Sequence, residues 1–338
     1  MGADGTASGR PRLVDVARRA GVSTATASLV LRGRPGPSAA TADVVRAAAG
    51  ELGFRPDRTA SLLARHRTHL LGVLLDITSP FHAELVQALD DEAADRGLDL
   101  VLSTVTRRRD EARAAETLLD FRCEALLVLG PIMPVTELDA LASSVPTVVV
   151  GREGTARVPG VRASDDQGLE LAVDHLVGLG HRRIAFVDGP RGSIATARRS
   201  GYRAAMRRHG LGDGIDVVPG GATEAAGAEA GGVLLERTPD GRPTAVVCFN
   251  DRCAIGLRDS VIRAGVALSV IGYDDSPLAR MGTVDLTSVS QDPVGLARAT
   301  VAVAAGLLGG EGAERVDDVV IPPRLVVRTS TTAPPRRQ

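Results

Sequence analysis

Two groups of polar and charged residues in this 338-residue chain are arranged for molecular recognition. In the first, Thr24, Ala25, Thr26, Ser28 and Leu29 follow Ser23 in one short helical pattern, with Arg18, Arg19, Arg32 and Arg34 around it. A helix offering such side chains from its first turns can present them to base edges in a major groove, while the flanking guanidinium groups face phosphates. The second group lies in loops that follow apolar runs: Asp76-Ile-Thr-Ser-Pro-Phe-His, Asp188-Gly-Pro-Arg-Gly-Ser, Asn250-Asp251 and Asp274-Asp275. Acids and amides can grip a hydroxyl-rich small molecule through paired donors and acceptors, and Phe81 can supply an apolar face.

The first group needs a small helical scaffold. Three short helical patterns, Leu13–Ala20, Thr24–Arg32 and Ala39–Leu52, are separated by Gly21-Val22-Ser23 and by the Gly33–Pro37 stretch. Ser23 and Ser38 stand at N-cap positions, where a hydroxyl accepts from the orphan amides of a first turn. Small Ala17 and Ala27 sit where two helices must approach, and Gly21 sits where the turn requires positive φ, the layout of a helix-turn-helix. Pro56-Asp57 opens a fourth short segment, Arg58–Arg65, while residues 1–11 have no periodicity and read as a disordered lead-in. A plain three-helix bundle with a solvated arginine face is the competing reading. Residues 1–68 hold eleven Arg against five Asp or Glu, an excess of six positive charges; the whole chain is at −1, so the remainder carries −7. All 40 basic residues are Arg, which together with the many Ala and Gly reads as genome composition rather than chemistry.

The second group needs parallel sheets. Beyond Thr68, apolar runs alternate with amphipathic stretches: Leu70–Leu75, Asp99–Ser103, Ala125–Leu129 and Thr147–Val150, then Arg183–Val187, Thr244–Phe249 and Ser269–Tyr273. Strands alternating with helices in two series predict an α/β core of two doubly wound lobes. Ligands of such sheets bind beyond the carboxyl ends of the strands, so the loops named above should converge on one cleft. The tail departs from the alternation, with a strand at Leu286–Val289, a helix over Val294–Leu308 and strands at Val319–Ile321 and Leu325–Arg328, elements that could cross back to complete both lobes.

At 44% hydrophobic and 24% charged residues, the composition is that of a globular protein, and no apolar run reaches the roughly 20 residues that span a bilayer. The N-terminus lacks the apolar region of a secretory signal, which predicts a cytoplasmic protein, and the DNA-reading pattern of the first group would make it nucleoid-associated. Cys123, Cys248 and Cys253 have no paired spacing and read as buried thiols rather than disulfide or metal ligands. No cofactor is expected. The chain has no G-x-S-x-G elbow, no Walker loop, no G-x-G-x-x-G after a strand and no His pair at metal-ligand spacing, which argues against an enzyme. His175 and His181 read as cap and packing residues.

Over residues 12–330 the chain resembles the LacI/GalR-type family of bacterial transcription regulators. The resemblance is carried, in order, by DVARRAGVSTATASLVLRG, ELGFRPDRTASLLARHRT, LLGVLLDITSPFHAELVQAL, LGHRRIAFVDGP, SGYRAAM, TAVVCFND, SVIGYDDSPLA, LTSVSQDP and PPRLVVRTST. It implies an N-terminal all-α helix-turn-helix headpiece over 12–56, a hinge helix and linker over 57–68, and a periplasmic-binding-protein-like core over 69–330 that dimerises and binds effector between its lobes. The N-lobe is expected over about 69–161 plus 288–312, the C-lobe over about 162–287 plus 313–330, and a tail over 331–338.

Carried over by resemblance, Thr24 and Ala25 match the family's variable base-reading positions, and Thr26 and Ser28 match residues that face the backbone. Leu63 matches a hinge residue that wedges into the minor groove, with small Ala60 before it and Arg58 beside it; an apolar wedge unstacks a base step and kinks the duplex. Leu29 stands where the family usually has a base-contacting Arg, Arg32 replaces the usual Asn, and Arg12 replaces the Thr that caps the first helix. In the core, Arg198, Asn250 and Asp274 match effector contacts, and Phe81 and His82 match pocket-lining residues beside Asp76 and Ser79. Ala222 and Pro293 fall where relatives often carry an aromatic, which weakens the case for a stacked pyranose. A capping role for Asn250 and Asp274 after their strands is the alternative.

The resulting expectation is a regulator, a repressor by resemblance, that binds a pseudo-palindromic double-stranded DNA operator as a homodimer, or as a tetramer. Its binding responds to a small-molecule effector, a sugar or related metabolite. The rival is the solute-binding protein of a transport system, which shares the two-lobed core and leaves the basic first seventy residues unexplained.

Overall fold

The computed structural model describes residues 11–54, 67–310 and 317–335. The chain divides into two compact units, residues 1–68 and 69–338. The expected hinge residues Arg58, Ala60 and Leu63 lie outside the described residues.

In the first unit, helices α1 (Leu13–Ala20), α2 (Thr24–Leu31) and α3 (Ala39–Glu51) close on a small core of Val16, Ala17, Ala27, Val30, Val45, Ala48 and Ala49. With so many alanines the helices can approach closely, and the core is correspondingly thin. The connections follow cap chemistry. Gly21 takes φ 66° at the end of α1, a conformation glycine adopts without penalty. The Ser23 hydroxyl accepts from the Thr26 amide at 3.0 Å, and Ser38 accepts from Thr41 at 3.2 Å. Arg12 has no side chain that can accept from the first turn of α1, and the Asp15 carboxylate instead takes the Arg12 amide at 2.9 Å, half of a capping box.

The second unit has two six-stranded sheets. Strands β1 (Leu70–Asp76), β2 (Asp99–Val105), β3 (Ala125–Leu129), β4 (Thr147–Val150), β5 (Gly160–Ala163) and β11 (Val319–Ile321) form the N-lobe sheet in the order β11-β5-β4-β3-β1-β2. Strands β6 (Ile184–Val187), β7 (Asp216–Val218), β8 (Ala245–Cys248), β9 (Ser269–Asp274), β10 (Thr287–Ser290) and β12 (Arg324–Val326) form the C-lobe sheet in the order β12-β10-β9-β8-β6-β7. All neighbours are parallel except β10 and β12. Such sheets are covered on both faces, which is why β3 and β4 read as unbroken apolar runs rather than alternating ones.

The helices that position the cleft are α4 (Pro80–Ala94) and α5 (Glu111–Asp120) in the N-lobe, and α7 (Asp165–Gly178), α8 (Ser193–Arg208) and α10 (Asp251–Arg263) in the C-lobe. Between α5 and α7 lies α6 (Val135–Ala142); between α8 and α10 lies α9 (Glu224–Leu235); the last helix is α11 (Pro293–Gly309).

Three departures from the sequence expectation concern where the chain changes lobe. Residues 288–290 were expected in the N-lobe, but β10 pairs with β9 in the C-lobe sheet. Residues 319–321 were expected in the C-lobe, but β11 extends the N-lobe sheet beside β5. Residues 162–163 likewise belong to β5 of the N-lobe. The remaining tail elements go where expected: α11 buries Leu296, Ala297, Val301 and Ala304 against the N-lobe core, and β12 joins the C-lobe sheet beside β10. The exchange follows from β5 and β7, whose short Gly-Val-Arg-Ala and Asp-Val-Val sequences carry no long apolar run. Val319–Ile321 pairs beside β5, and after Pro322-Pro323 the chain returns to the C-lobe as β12. Three strands therefore link the lobes: the segments after Ala163, after Ser290 and after Ile321.

Candidate functional site

In the first unit, the exposed end of α2 gathers the headpiece candidates. Ser23, Thr24, Ala25 and Leu29 are exposed, Thr26 and Ser28 are half-buried, and Ala27 and Val30 face inward. Leu29 is 40% exposed, an apolar side chain left at the surface of a helix whose inward face is already complete. Ser23 is occupied as the cap, and its hydroxyl also meets the Thr26 hydroxyl at 2.9 Å. Arg18, Arg19, Arg32 and Arg34 are all exposed.

In the second unit, a cavity of about 210 Å³ lies between the lobes, and Asp76, Ser79, Phe81, His82, Arg198, Asn250 and Asp274 all line it. The N-lobe contribution is built from a tight turn. The Asp76 carboxylate accepts from the Thr78 amide and hydroxyl at 2.8 and 2.9 Å, and Ser79 caps α4 by accepting from the His82 amide at 3.3 Å. This turn brings His82 back so that Nδ1 lies 3.2 Å from the Asp76 carbonyl. A hydrogen on Nδ1 satisfies that acceptor, leaving Nε2 of a neutral ring as an acceptor at the cavity wall, near Gly130. Burial lowers the His82 pKa below its ordinary value, against the opposing pull of the Asp76 carbonyl and carboxylate.

The C-lobe contribution centres on Arg198, a buried guanidinium on α8. Its Nε donates to Asp165 at 2.9 Å, Nη1 donates to the Phe249 carbonyl, and Nη2 lies 4.0 Å from Asp274. The guanidinium also stacks over Tyr273, 3.7 Å from the ring centroid, and over Phe249 at 4.8 Å. Asp274 ends β9 with φ 111°, and Asp275 follows at φ 50°, two non-glycine residues in a costly conformation. Gln291 donates to Asp274 at 2.7 Å. Burial pushes the Asp274 carboxyl up to about 8, with the nearby Arg198 charge acting in the opposite direction. Asn250 caps α10, its Oδ1 accepting from Cys253 at 2.9 Å, and its Nδ2 donates to the Ala222 carbonyl at 3.1 Å. The capping alternative thus describes what Asn250 does in this structure, while its position still places it at the cavity wall.

Not every residue in the sequence group reaches the cavity. Asp188 pairs with Arg199 instead. Asp251 is buried behind the wall, where burial pushes its carboxyl to about 6 and Ser288 and Ser276 donate to it at 2.6 and 2.7 Å. Asp275 is held by Arg328 at 2.7 Å. Conversely, Gln291, Ile132, Ile194 and Arg252 line the cavity without having been singled out. Gln291 follows β10, so the rule that ligands sit beyond strand ends would have found it. Ile132 carried no such signal: its loop is fixed by Glu111 of α5, whose two carboxylate oxygens accept from the Ile132 and Met133 amides at 2.8 and 2.6 Å. His175 and His181 are engaged with Thr331 and with Thr244 and Thr332, and the three cysteines are buried and free.

A helix-turn-helix unit followed by two Rossmann-like lobes enclosing a polar-ended cavity is the make-up of a ligand-responsive transcription regulator. Residues 12–57 match the family described as bacterial regulatory proteins, lacI family, and residues 173–331 match a periplasmic binding protein-like domain. The chain is 36% identical over 291 residues to the ribose operon repressor of Escherichia coli strain K12, covering 82% of this chain and 87% of that protein. It is 31% identical over 333 residues to the HTH-type transcriptional regulator GalR of the same strain, covering 95% of each. Among solved structures, the lac repressor dimer bound to operator and the anti-inducer ONPF superposes with a TM-score of 0.81 at 28% identity, over 96% of this chain and 100% of that one. A LacI transcriptional regulator from Rhodococcus species is 44% identical with a TM-score of 0.75, over 78% and 98%. The chain belongs to the LacI family of transcription regulators, and the reading as a transport solute-binding protein is set aside. No helix among the described residues is long and apolar enough to cross a membrane.

Proposed function

We propose that the protein is a repressor that binds a pseudo-palindromic operator on the nucleoid as a homodimer and is switched by a monosaccharide-sized effector held between the core lobes. The observation that carries this reading is the pairing, in one chain, of an exposed α2 N-terminus with an interlobe cavity lined by all seven core candidates. Thr24, Ala25 and Leu29 face base edges, while Thr26, Ser28, Arg32 and Arg34 face phosphates. Arg58, Ala60 and Leu63 enter this scheme through the family resemblance.

At about 210 Å³ the cavity falls below the roughly 300–1,000 Å³ of pockets that take drug-sized ligands, which favours one small polyol over an oligosaccharide. Neutral His82 offers an acceptor at one end, and Asp274 and Arg198 offer an acid and donors at the other, the pattern that grips vicinal hydroxyls. Ala222 supplies no aromatic face in the lining, and Phe81 with Phe249 provides the apolar walls. Kinship to a ribose operon repressor supports the same class. The effector acts through its unequal affinity for two arrangements of the lobes.

Selection of duplexes from a random library by the full chain tests the first half. Recovered sites should be two-fold symmetric, and affinity should fall steeply between low and moderate salt because phosphate contacts release counterions. Recovery of no site above background would remove the reading. Thermal shift against a panel of monosaccharides tests the second half: a ligand at 100 times its Kd stabilises by about 2.7 kcal/mol, and a panel without any shift would remove the sugar assignment.

A further inference from the structure

Two arginines of the C-lobe reach across the cleft to the same stretch of the N-lobe. Arg280, in the loop between β9 and β10, meets both carboxylate oxygens of Glu84 on α4 at 2.8 and 3.2 Å. Arg252, in the first turn of α10, donates to the Thr78 carbonyl at 3.0 Å and lies 3.4 Å from the Thr78 hydroxyl. Each arginine is aimed by an acid of its own lobe. Arg252 is held by both oxygens of Glu224, at 2.8 and 2.6 Å. Arg280 lies 3.5 Å from Asp275, which Arg328 anchors in turn. Asp275 is the neighbour of the cavity residue Asp274, and both sit in the left-handed conformation. The Arg280 contact and the cavity wall are thus linked through the adjacent residues Asp274 and Asp275.

We infer that the Arg280–Glu84 pair, with Arg252–Thr78 beside it, is a latch that holds the lobes closed before any effector binds, and that Arg280 and Glu84, which do not line the cavity, set effector affinity without touching the effector. A ligand that binds only the closed cleft shows an apparent Kd equal to the intrinsic value divided by the closed fraction. Two-point contact between a guanidinium and a carboxylate is the geometry in which a partly exposed pair is worth most. With Arg280 40% and Glu84 20% exposed, the pair should change the closed-to-open ratio about two- to fivefold. The affinity consequence rests on the cavity being the effector site; the closure itself does not.

The test uses the full chain carrying spin labels at Asp120→Cys on the N-lobe and Asp213→Cys on the C-lobe, both exposed positions, with the three native cysteines buried. Interlobe distance distributions are recorded without ligand for the otherwise unaltered chain, Glu84→Gln, Arg280→Gln and the double variant. Glu84→Gln leaves Arg280 on Asp275 and removes only the cross-cleft charge. The expected result is a two- to fivefold gain in the longer-distance population for Glu84→Gln, and a double variant no more open than Arg280→Gln, as coupled partners behave. An unchanged distribution in Glu84→Gln, or opening in the double variant equal to the product of the single effects, overturns the latch. If the variants open as expected and no monosaccharide binds any of them, the latch stands and the effector assignment falls.

Discussion

Replacing Arg198 with Met should cost the core more than any other single change at the cavity. The substitution keeps the reach and apolar bulk of the side chain and removes the guanidinium. Asp165, whose side chain is only 7% exposed, then loses its cation, and the Phe249 carbonyl loses a donor. Breaking a buried pair from one side costs about 3–5 kcal/mol, because the surviving charge stays desolvated without compensation. For a unit of this size each kcal/mol moves Tm by roughly 2–4 °C, so Arg198→Met should melt on the order of 10 °C lower in the absence of ligand. The cause is separable from simple loss of packing. Asp165→Asn added to Arg198→Met removes the stranded charge, and the double variant should recover at least half of the loss. Denaturant titration monitored by circular dichroism, with the slope checked for constancy, gives the three values. A loss below about 1 kcal/mol for Arg198→Met, or a double variant as unstable as the sum of the two singles, would refute the buried-pair account.

Two further outcomes follow from the structure. Burial holds the folded Asp274 carboxyl near 8, far above its unfolded value, so the folded state keeps a proton that the unfolded chain gives up. Its contribution to stability is therefore fully present below about pH 4 and is lost as pH rises towards 8. Stability measured across that window should fall less in Asp274→Asn than in the parent, and parallel profiles would contradict the assignment. In the headpiece, Gly21→Ala places a Cβ on a residue at φ 66° and should destabilise that unit by about 1–2 kcal/mol, read as earlier melting of helical signal and weaker duplex binding; a neutral effect would show that the turn relaxes.

Much of the headpiece was legible in the sequence because its determinants are local. Ser23, Ser38 and Gly21 fix helix ends within one turn of themselves, and the three helices end within a residue of their expected limits. The strands β3 and β4 were equally plain, since strands buried on both faces must be continuously apolar. The loops after β1, β8 and β9 could be pointed to because strand ends of parallel sheets converge, whereas Arg198, inside helix α8, was reached only through the family resemblance.

What tertiary structure alone decided is long-range. Val319–Ile321 has no local property that assigns it to one lobe; its place depends on the free edge of β5, more than 150 residues earlier in the chain. Asp188 and Asp274 look alike as acids after strands, yet Arg199 draws one away while the left-handed turn at Asp274 points the other to the cavity wall. Arg280 and Glu84, 196 positions apart, meet only because two lobes close on each other. Sequence determined the helices with their caps and the long apolar strands, since each is set within a few residues, but not the short edge strands β5 and β7, which carry no apolar run of their own. Pairing across the cleft depends on which desolvated group finds a partner, and that is settled only when both lobes are folded.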